Sequence, residues 1–279
     1  MSTRISLKKN TVLRCINHDK STIVYTILKE IGRGGSCIVY DAYYINNAGK
    51  HNPVRIKECY PFKLSIVREE NGQLTPVKCD NEKFNHYKQS LIESFEISNE
   101  LFVTSGLTNS ISNPVDIYMA NNTIYIVTSY IEGKTISSEM FNSINDCVTV
   151  VNSTAKAIKM IHDKGYLYLD IKPDNIFVLK GTLEIVQLFD FDSLIPLGKK
   201  AEMGNYRLSY SKGFAPLEQR RGQFKNIDKY TDVFSVGALL FYLIYGKAPS
   251  ALDCDMTATY DYSMSKYEWR SIRISCVMH

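Results

Sequence analysis

The stretch from Tyr168 to Asp192 constrains this chain more than any other: Tyr168-Leu-Asp170-Ile-Lys172-Pro-Asp-Asn175-Ile-Phe-Val, then Phe189-Asp190-Phe191-Asp192. Ile176–Leu179 and Glu184–Leu188 read as a short hairpin between two groups of polar side chains. A carboxylate at Asp170 can accept or orient a hydroxyl proton, and Lys172, two residues on, can neutralise a phosphate in motion. Asn175 and Asp190 offer hard oxygen ligands, the kind Mg²⁺ prefers. Phosphoryl transfer asks for little covalent chemistry. It needs an acceptor hydroxyl aimed in line and neutralised phosphate charge, and these residue types meet that need.

Other segments share the pattern. Ile31-Gly32-Arg33-Gly34-Gly35-Ser36-Cys37-Ile38-Val39 follows G-x-G-x-x-G-x-V with Cys37 at the third glycine. Val54-Arg55-Ile56-Lys57 follows V-A-I-K, and Ala215-Pro216-Leu217-Glu218 follows A-P-E with one residue inserted. Ile124–Gly133 has the strand-and-hinge form, and Asp232–Gly237 leads into Gly246-Lys-Ala-Pro249. In this order, over residues 31–249, the chain resembles the eukaryotic-type (Hanks-type) Ser/Thr protein kinases. Its substituted motifs are more similar to bacterial members than to animal ones.

The resemblance implies an α+β, bilobal protein-kinase-like fold. Residues 1–133 form the N-lobe, a small antiparallel sheet with the glycine-rich loop, the lysine strand, an inserted hairpin at about 60–81 and one main helix at about 82–105. Residues 134–279 form a mostly helical C-lobe with the catalytic loop, the activation segment (193–214) and a buried helix (230–246). In the inserted segment, Asn71-Gly72 favours a type I′ hairpin turn. Asp146–Lys164 reads as an amphipathic helix closed by Gly165. Only thirty residues follow Pro249, about half of what the family's last helices need. A C-lobe shortened at its C-terminus, a partner that completes it and a truncated chain all stay open.

The resemblance also assigns roles. ATP is expected between the lobes, cradled by Ile31, Gly32, Gly34, Gly35 and Val39, since glycines without Cβ let backbone N–H groups approach phosphate. Thr128, Ser129 and Ile131 line the adenine side. Lys57 holds the α/β-phosphates and pairs with a helix glutamate, Glu100 by spacing, with Glu96 one turn earlier as competitor. Asp170 and Lys172 are catalytic, and Asn175 and Asp190 hold Mg²⁺. Ser211 stands where the family keeps a hydroxyl bridging the catalytic aspartate and lysine, and Asp232 anchors the catalytic loop from the buried helix. Glu218 is expected to pair with Arg270 or Arg273.

Three departures matter. Leu169 replaces the arginine that ties the loop to a phosphorylated segment, so activity should not depend on such a phosphate. Tyr168 replaces the usual histidine. Asp192 replaces the glycine of D-F-G, which puts a free backbone flip there in doubt. Cys37 is read as a tolerated small residue rather than a redox centre.

Composition narrows the partners. The net charge of +4 is mild and no basic cluster interleaves with aromatics, so nucleic-acid binding gains no support. Seven scattered cysteines without C-x-x-C suit reduced thiols in a cytoplasmic protein. The N-terminus lacks an apolar h-region, so no signal peptide is expected, and no apolar run is long enough to span a bilayer. Oligomeric state is open. The leading expectation is ATP- and Mg²⁺-dependent phosphoryl transfer to Ser/Thr hydroxyls of protein substrates. The alternatives are a small-molecule kinase of the aminoglycoside or choline type, whose metal motif often reads D-F-D, and a nucleotide-binding pseudokinase scaffold.

Overall fold

The computed structural model describes residues 4–16, 22–104, 110–197 and 210–250. The chain divides into two compact units, one from the described residues of 1–106 with Ser112–Ile131, the other from those of 107–111 and 132–279.

The first unit is a six-stranded antiparallel sheet with one long helix. Its strands are β1 (Val12–Ile16), β2 (Thr22–Arg33), β3 (Cys37–Ile45), β4 (His51–Cys59), β7 (Pro114–Ala120) and β8 (Thr123–Ser129), in the order β1-β2-β3-β4-β8-β7. Side chains alternate across the pleat, and this sets the chemistry of each face. Ile38, Tyr40, Val54, Ile56 and Glu58 are buried on the core side, whereas Val39, Arg55 and Lys57 are half-buried on the other. The strands β7 and β8 are joined by Asn121 and Asn122, both at positive φ, the two-residue type I′ turn that suits the strand twist.

The inserted segment is a hairpin of β5 (Ile66–Arg68) and β6 (Leu74–Pro76). Its turn differs from the type I′ expectation. Gly72 N–H donates to Glu69 O at 2.9 Å and Glu69 N–H to Gln73 O at 2.8 Å. Only Gly72, at φ 89°, is left-handed, and Asn71 is not. The loop is therefore a type I turn closed by a glycine bulge, with Asn71 Oδ1 accepting from Gln73 N–H instead of occupying a mirror-image turn. Helix α1 (Asn81–Thr104) buries Phe84, Leu91, Ser94, Ser98 and Leu101. Strand β1 was not read from the sequence.

In the second unit, β9 (Gly133–Thr135), β11 (Ile176–Leu179) and β12 (Val186–Leu188) form one small sheet, and β10 (Tyr166–Leu167) pairs with β13 (Ile195–Pro196). Helix α2 (Ile144–Asp163) starts two residues earlier than expected. Ser143 caps it, accepting from Asp146 N–H while the Asp146 carboxylate accepts from Ser143 N–H. This capping box satisfies two end donors that would otherwise lack partners. Gly165, at φ 84°, ends the helix as expected. Helix α2 packs against helix α4 (Lys229–Tyr245), which Gly246 closes in the left-handed region. A short helix, α3 (Leu217–Arg220), carries Glu218. Among the described residues, no helix is long and apolar enough to cross a membrane.

Candidate active site

The loop between β10 and β11 gathers Asp170, Lys172 and Asn175. Lys172 Nζ donates to Asp170 Oδ2 at 2.7 Å, and Asn175 Nδ2 donates to the same oxygen and to the Asp170 main-chain carbonyl, each at 2.9 Å. Ser211 Oγ donates to Asp170 Oδ1 at 3.1 Å. Asp170 is buried, and three donors fix its carboxylate in one orientation. With Nδ2 so engaged, the group that Asn175 has left to offer a cation is its side-chain carbonyl oxygen. Phe189 N–H donates to Asn175 O at 3.0 Å, which ties the segment that follows β12 and carries Asp190 to the loop. Asp190 itself sits at φ 61°, ψ 70°. Asp192, at the usual glycine position, lies in the following single turn without positive φ, so it adds no backbone strain.

Backbone strain is instead stored at Leu169, a bulky residue at φ 61°. Such a conformation costs about 1–3 kcal/mol and persists only where surroundings enforce it. Here they do so from every side. Leu169 N–H donates to Asp232 Oδ1 at 2.8 Å and Tyr168 N–H to Asp232 Oδ2 at 2.9 Å. Gln219 Nε2 donates to Leu169 O at 2.6 Å, and the side chain packs with Leu167, Ile195 and Ile227. His162 Nε2 lies 2.7 Å from Asp232 Oδ2. Asp232 was anticipated as the anchor, but Gln219 and His162 were not. At 1% exposure, Leu169 fills the position of the family's arginine with apolar core. The Tyr168 hydroxyl donates to Phe189 O, so it retains a hydrogen-bonding role. Glu218 accepts from Thr231 Oγ1 at 3.2 Å; Arg270 and Arg273 lie outside the described residues.

In the first unit, register places Gly32, Val39, Lys57 and Ile126 in one row across β2, β3, β4 and β8. Thr128, two residues beyond Ile126, shares that face, and Ser129 and Ile131 follow half-buried. Ile31 is exposed beside a bulge in β2. A Cβ built at Gly32 or Gly35 would meet nothing within 4 Å, so open space faces this backbone. Glu96 and Glu100 are both exposed on α1. The donor set also suits Mg²⁺, which takes one or two protein oxygens and completes its shell with phosphate and water. Among the described residues, no group of three or more His, Cys, Asp or Glu could form a closed metal site.

The family model for the protein kinase domain matches residues 64–273. This chain belongs to the protein kinase family. A probable serine/threonine-protein kinase of Clostridium acetobutylicum is 27% identical over 236 residues, which is 82% of this chain and 31% of that protein. Serine/threonine-protein kinase D of Synechocystis is 26% identical over 200 residues, 69% of this chain and 37% of its own length. The chain thus spans about a third of the length of these curated relatives. The apo form of PpkA-294 superposes with a TM-score of 0.66 at 24% identity, covering 88% of this kinase chain and 80% of that one. That likeness establishes the shared α+β kinase fold.

Proposed function

We propose that this kinase domain transfers the γ-phosphoryl group of Mg²⁺-bound ATP to Ser or Thr hydroxyls of protein substrates. The observation that carries the reading is the oriented Asp170 carboxylate. An ionised carboxylate has about four lone-pair sites. Lys172 and Asn175 occupy two on Oδ2, and Ser211 takes one on Oδ1. The remaining capacity on Oδ1 is where an acceptor hydroxyl docks and delivers its proton. Lys172 neutralises charge on the moving group, and Asn175 and Asp190 hold Mg²⁺. ATP, when bound, supplies the phosphoryl group, and Mg²⁺ supplies charge neutralisation. Lys57, paired with Glu100, and the backbone of Gly32, Gly34 and Gly35 orient the phosphates. Ile31, Val39, Thr128, Ser129 and Ile131 contact the base. The first unit is read as the N-lobe expected at 1–133 and the second as the C-lobe expected at 134–279, with Ile111, Glu132 and Gly133 in the second unit. The kinase names of the relatives support protein Ser/Thr acceptors. Cys15, Cys37, Cys59, Cys79 and Cys147 form no disulfide, which suits the cytoplasm.

The test is transfer from labelled ATP to a panel of generic protein, aminoglycoside and choline acceptors. Protein labelling is expected. Asp170→Ala should lower kcat by about 10²–10⁴-fold with nucleotide Kd nearly unchanged. Labelling confined to small acceptors would replace this reading with the small-molecule one suggested by Asp190-Phe191-Asp192. Nucleotide binding without transfer to any acceptor would replace it with a scaffold.

A further inference from the structure

The N-terminal segment is fastened to the glycine-rich loop by one side chain. Arg4 Nη1 donates to Gly34 O at 2.9 Å, Tyr60 O at 2.8 Å and Cys37 O at 3.3 Å, and its guanidinium lies 5.5 Å over the Phe62 ring. Arg4 is held in turn. Arg33 Nη1 donates to Arg4 O at 2.8 Å, and Arg33 Nη2 donates to Ser6 Oγ at 2.8 Å. Arg68 Nε donates to Ile5 O at 2.7 Å, and Leu7 N–H donates to the buried Tyr40 hydroxyl at 3.1 Å.

Around the loop, the main-chain carbonyls are all engaged. Gly35 O accepts from Phe62 N–H at 2.9 Å, Ser36 O from Tyr60 N–H at 2.8 Å, and Cys37 O from Gly34 N–H at 2.9 Å as well as from Arg4. Every described peptide bond is trans. In a planar trans peptide the N–H points opposite its carbonyl. Fixing Gly34 O therefore fixes the direction of Gly35 N–H, just as the Phe62 bond fixes Ser36 N–H. Gly34 O is the loop carbonyl that a side chain, and not the strand-end backbone, holds in place.

We propose that Arg4 is a positioning residue for nucleotide binding: it presets the N–H donors of the glycine-rich loop by locking the Gly34 peptide plane. This rests on the reading of the loop as a phosphate cradle. Without Arg4 the exposed Gly34–Gly35 peptide rotates freely, and nucleotide must order it on binding. Lysine cannot replace it, because its ammonium lies one bond short of the Nη1 position and lacks the planar face that rests over Phe62.

The test combines two measurements on wild type, Arg4→Ala and Arg4→Lys. In nucleotide-free protein, hydrogen exchange across residues 33–38 should quicken about fivefold or more in both variants. With a fluorescent ATP analogue and Mg²⁺, Kd should rise roughly five- to thirtyfold in both, the scale of reordering about one residue. KM for ATP should follow Kd while kcat stays within about twofold. Unchanged exchange in Arg4→Ala, unchanged Kd despite faster exchange, or wild-type behaviour in Arg4→Lys would each overturn the proposal. Wild type that binds no nucleotide at all would instead overturn the phosphate-cradle reading on which the proposal rests. The exchange arm would still report whether Arg4 orders the loop.

Discussion

Replacing Arg68 with alanine isolates one buried charge. Glu58 has no exposed surface and accepts from Tyr40 Oη at 2.8 Å, Tyr125 Oη at 2.7 Å and Arg68 Nη2 at 2.6 Å. The Arg68 side chain is only 6% exposed, and its Nη1 also donates to Gly72 O at 2.9 Å. Arg68→Ala leaves the carboxylate under the sheet with two phenols and no counter-charge. Breaking a buried pair on one side costs about 3–5 kcal/mol. For a chain of this size, each kcal/mol lowers Tm by about 2–4 °C, so the expected drop is roughly 6–20 °C. Calorimetry measures it, and hydrogen exchange of β3 and β4 amides assigns it to the first unit. Glu58→Gln combined with Arg68→Met removes both charges and should recover more than half of the loss. A drop below about 2 °C in Arg68→Ala, or a double variant no better than the single one, would refute the claim that Glu58 is a buried anion dependent on Arg68.

Other predictions follow from single contacts. Burial raises the Tyr25, Tyr40, Tyr118 and Tyr125 hydroxyls well above the usual tyrosine range, with Glu58 adding to the effect at Tyr40 and Tyr125. The folded chain then keeps protons that the unfolded chain releases. Stability is full below pH about 10 and falls above it, by up to about 1.4 kcal/mol per pH unit per tyrosine; urea midpoints level from pH 8 to 11 would contradict this. At Gly133, an added Cβ would lie 2.2 Å from Val178 O and 2.4 Å from Phe177 Cε1, so Gly133→Ala should lose about 1–3 kcal/mol or more in a thermal melt. Asp232→Asn keeps an acceptor for one of the Tyr168 and Leu169 N–H donors and sets an NH₂ against the other. It should cost about 1–3 kcal/mol and lower kcat about 10²-fold as Asp170 shifts, with peptide KM little changed. In double-mutant cycles on kcat/KM, Lys57→Ala should couple to Glu100→Ala but add to Glu96→Ala within about 0.5 kcal/mol.

The meeting of Asp170, Lys172 and Asn175 was legible because the three lie close together in sequence, on the one loop between β10 and β11. Gly165 and Gly246 were legible as helix ends, since left-handed backbone favours glycine. Contacts to main chain were not. Arg4 reaches carbonyls 30 to 56 residues away, and Gln219 reaches one 50 residues back; neither leaves a local pattern. Strand β1 has the same origin, since its place depends on pairing with β2. Two signals went unread. Ser143-x-x-Asp146 has the form of a capping box. Strand alternation from Lys57 already puts Glu58 on the face of Val54 and Ile56, where a carboxylate needs a partner. The type I′ expectation at Asn71-Gly72 failed because the dipeptide fixes a glycine position but not the loop length.

The pleat of β4 sets two neighbouring codons under unlike selection. In a saturation library scored for abundance and for turnover, substitutions at Lys57 should yield well-populated but inactive molecules, because that side chain leaves the core side. Substitutions at Glu58 should deplete the protein itself. The boundary between a catalytic and a structural requirement would then fall between two adjacent residues of one strand.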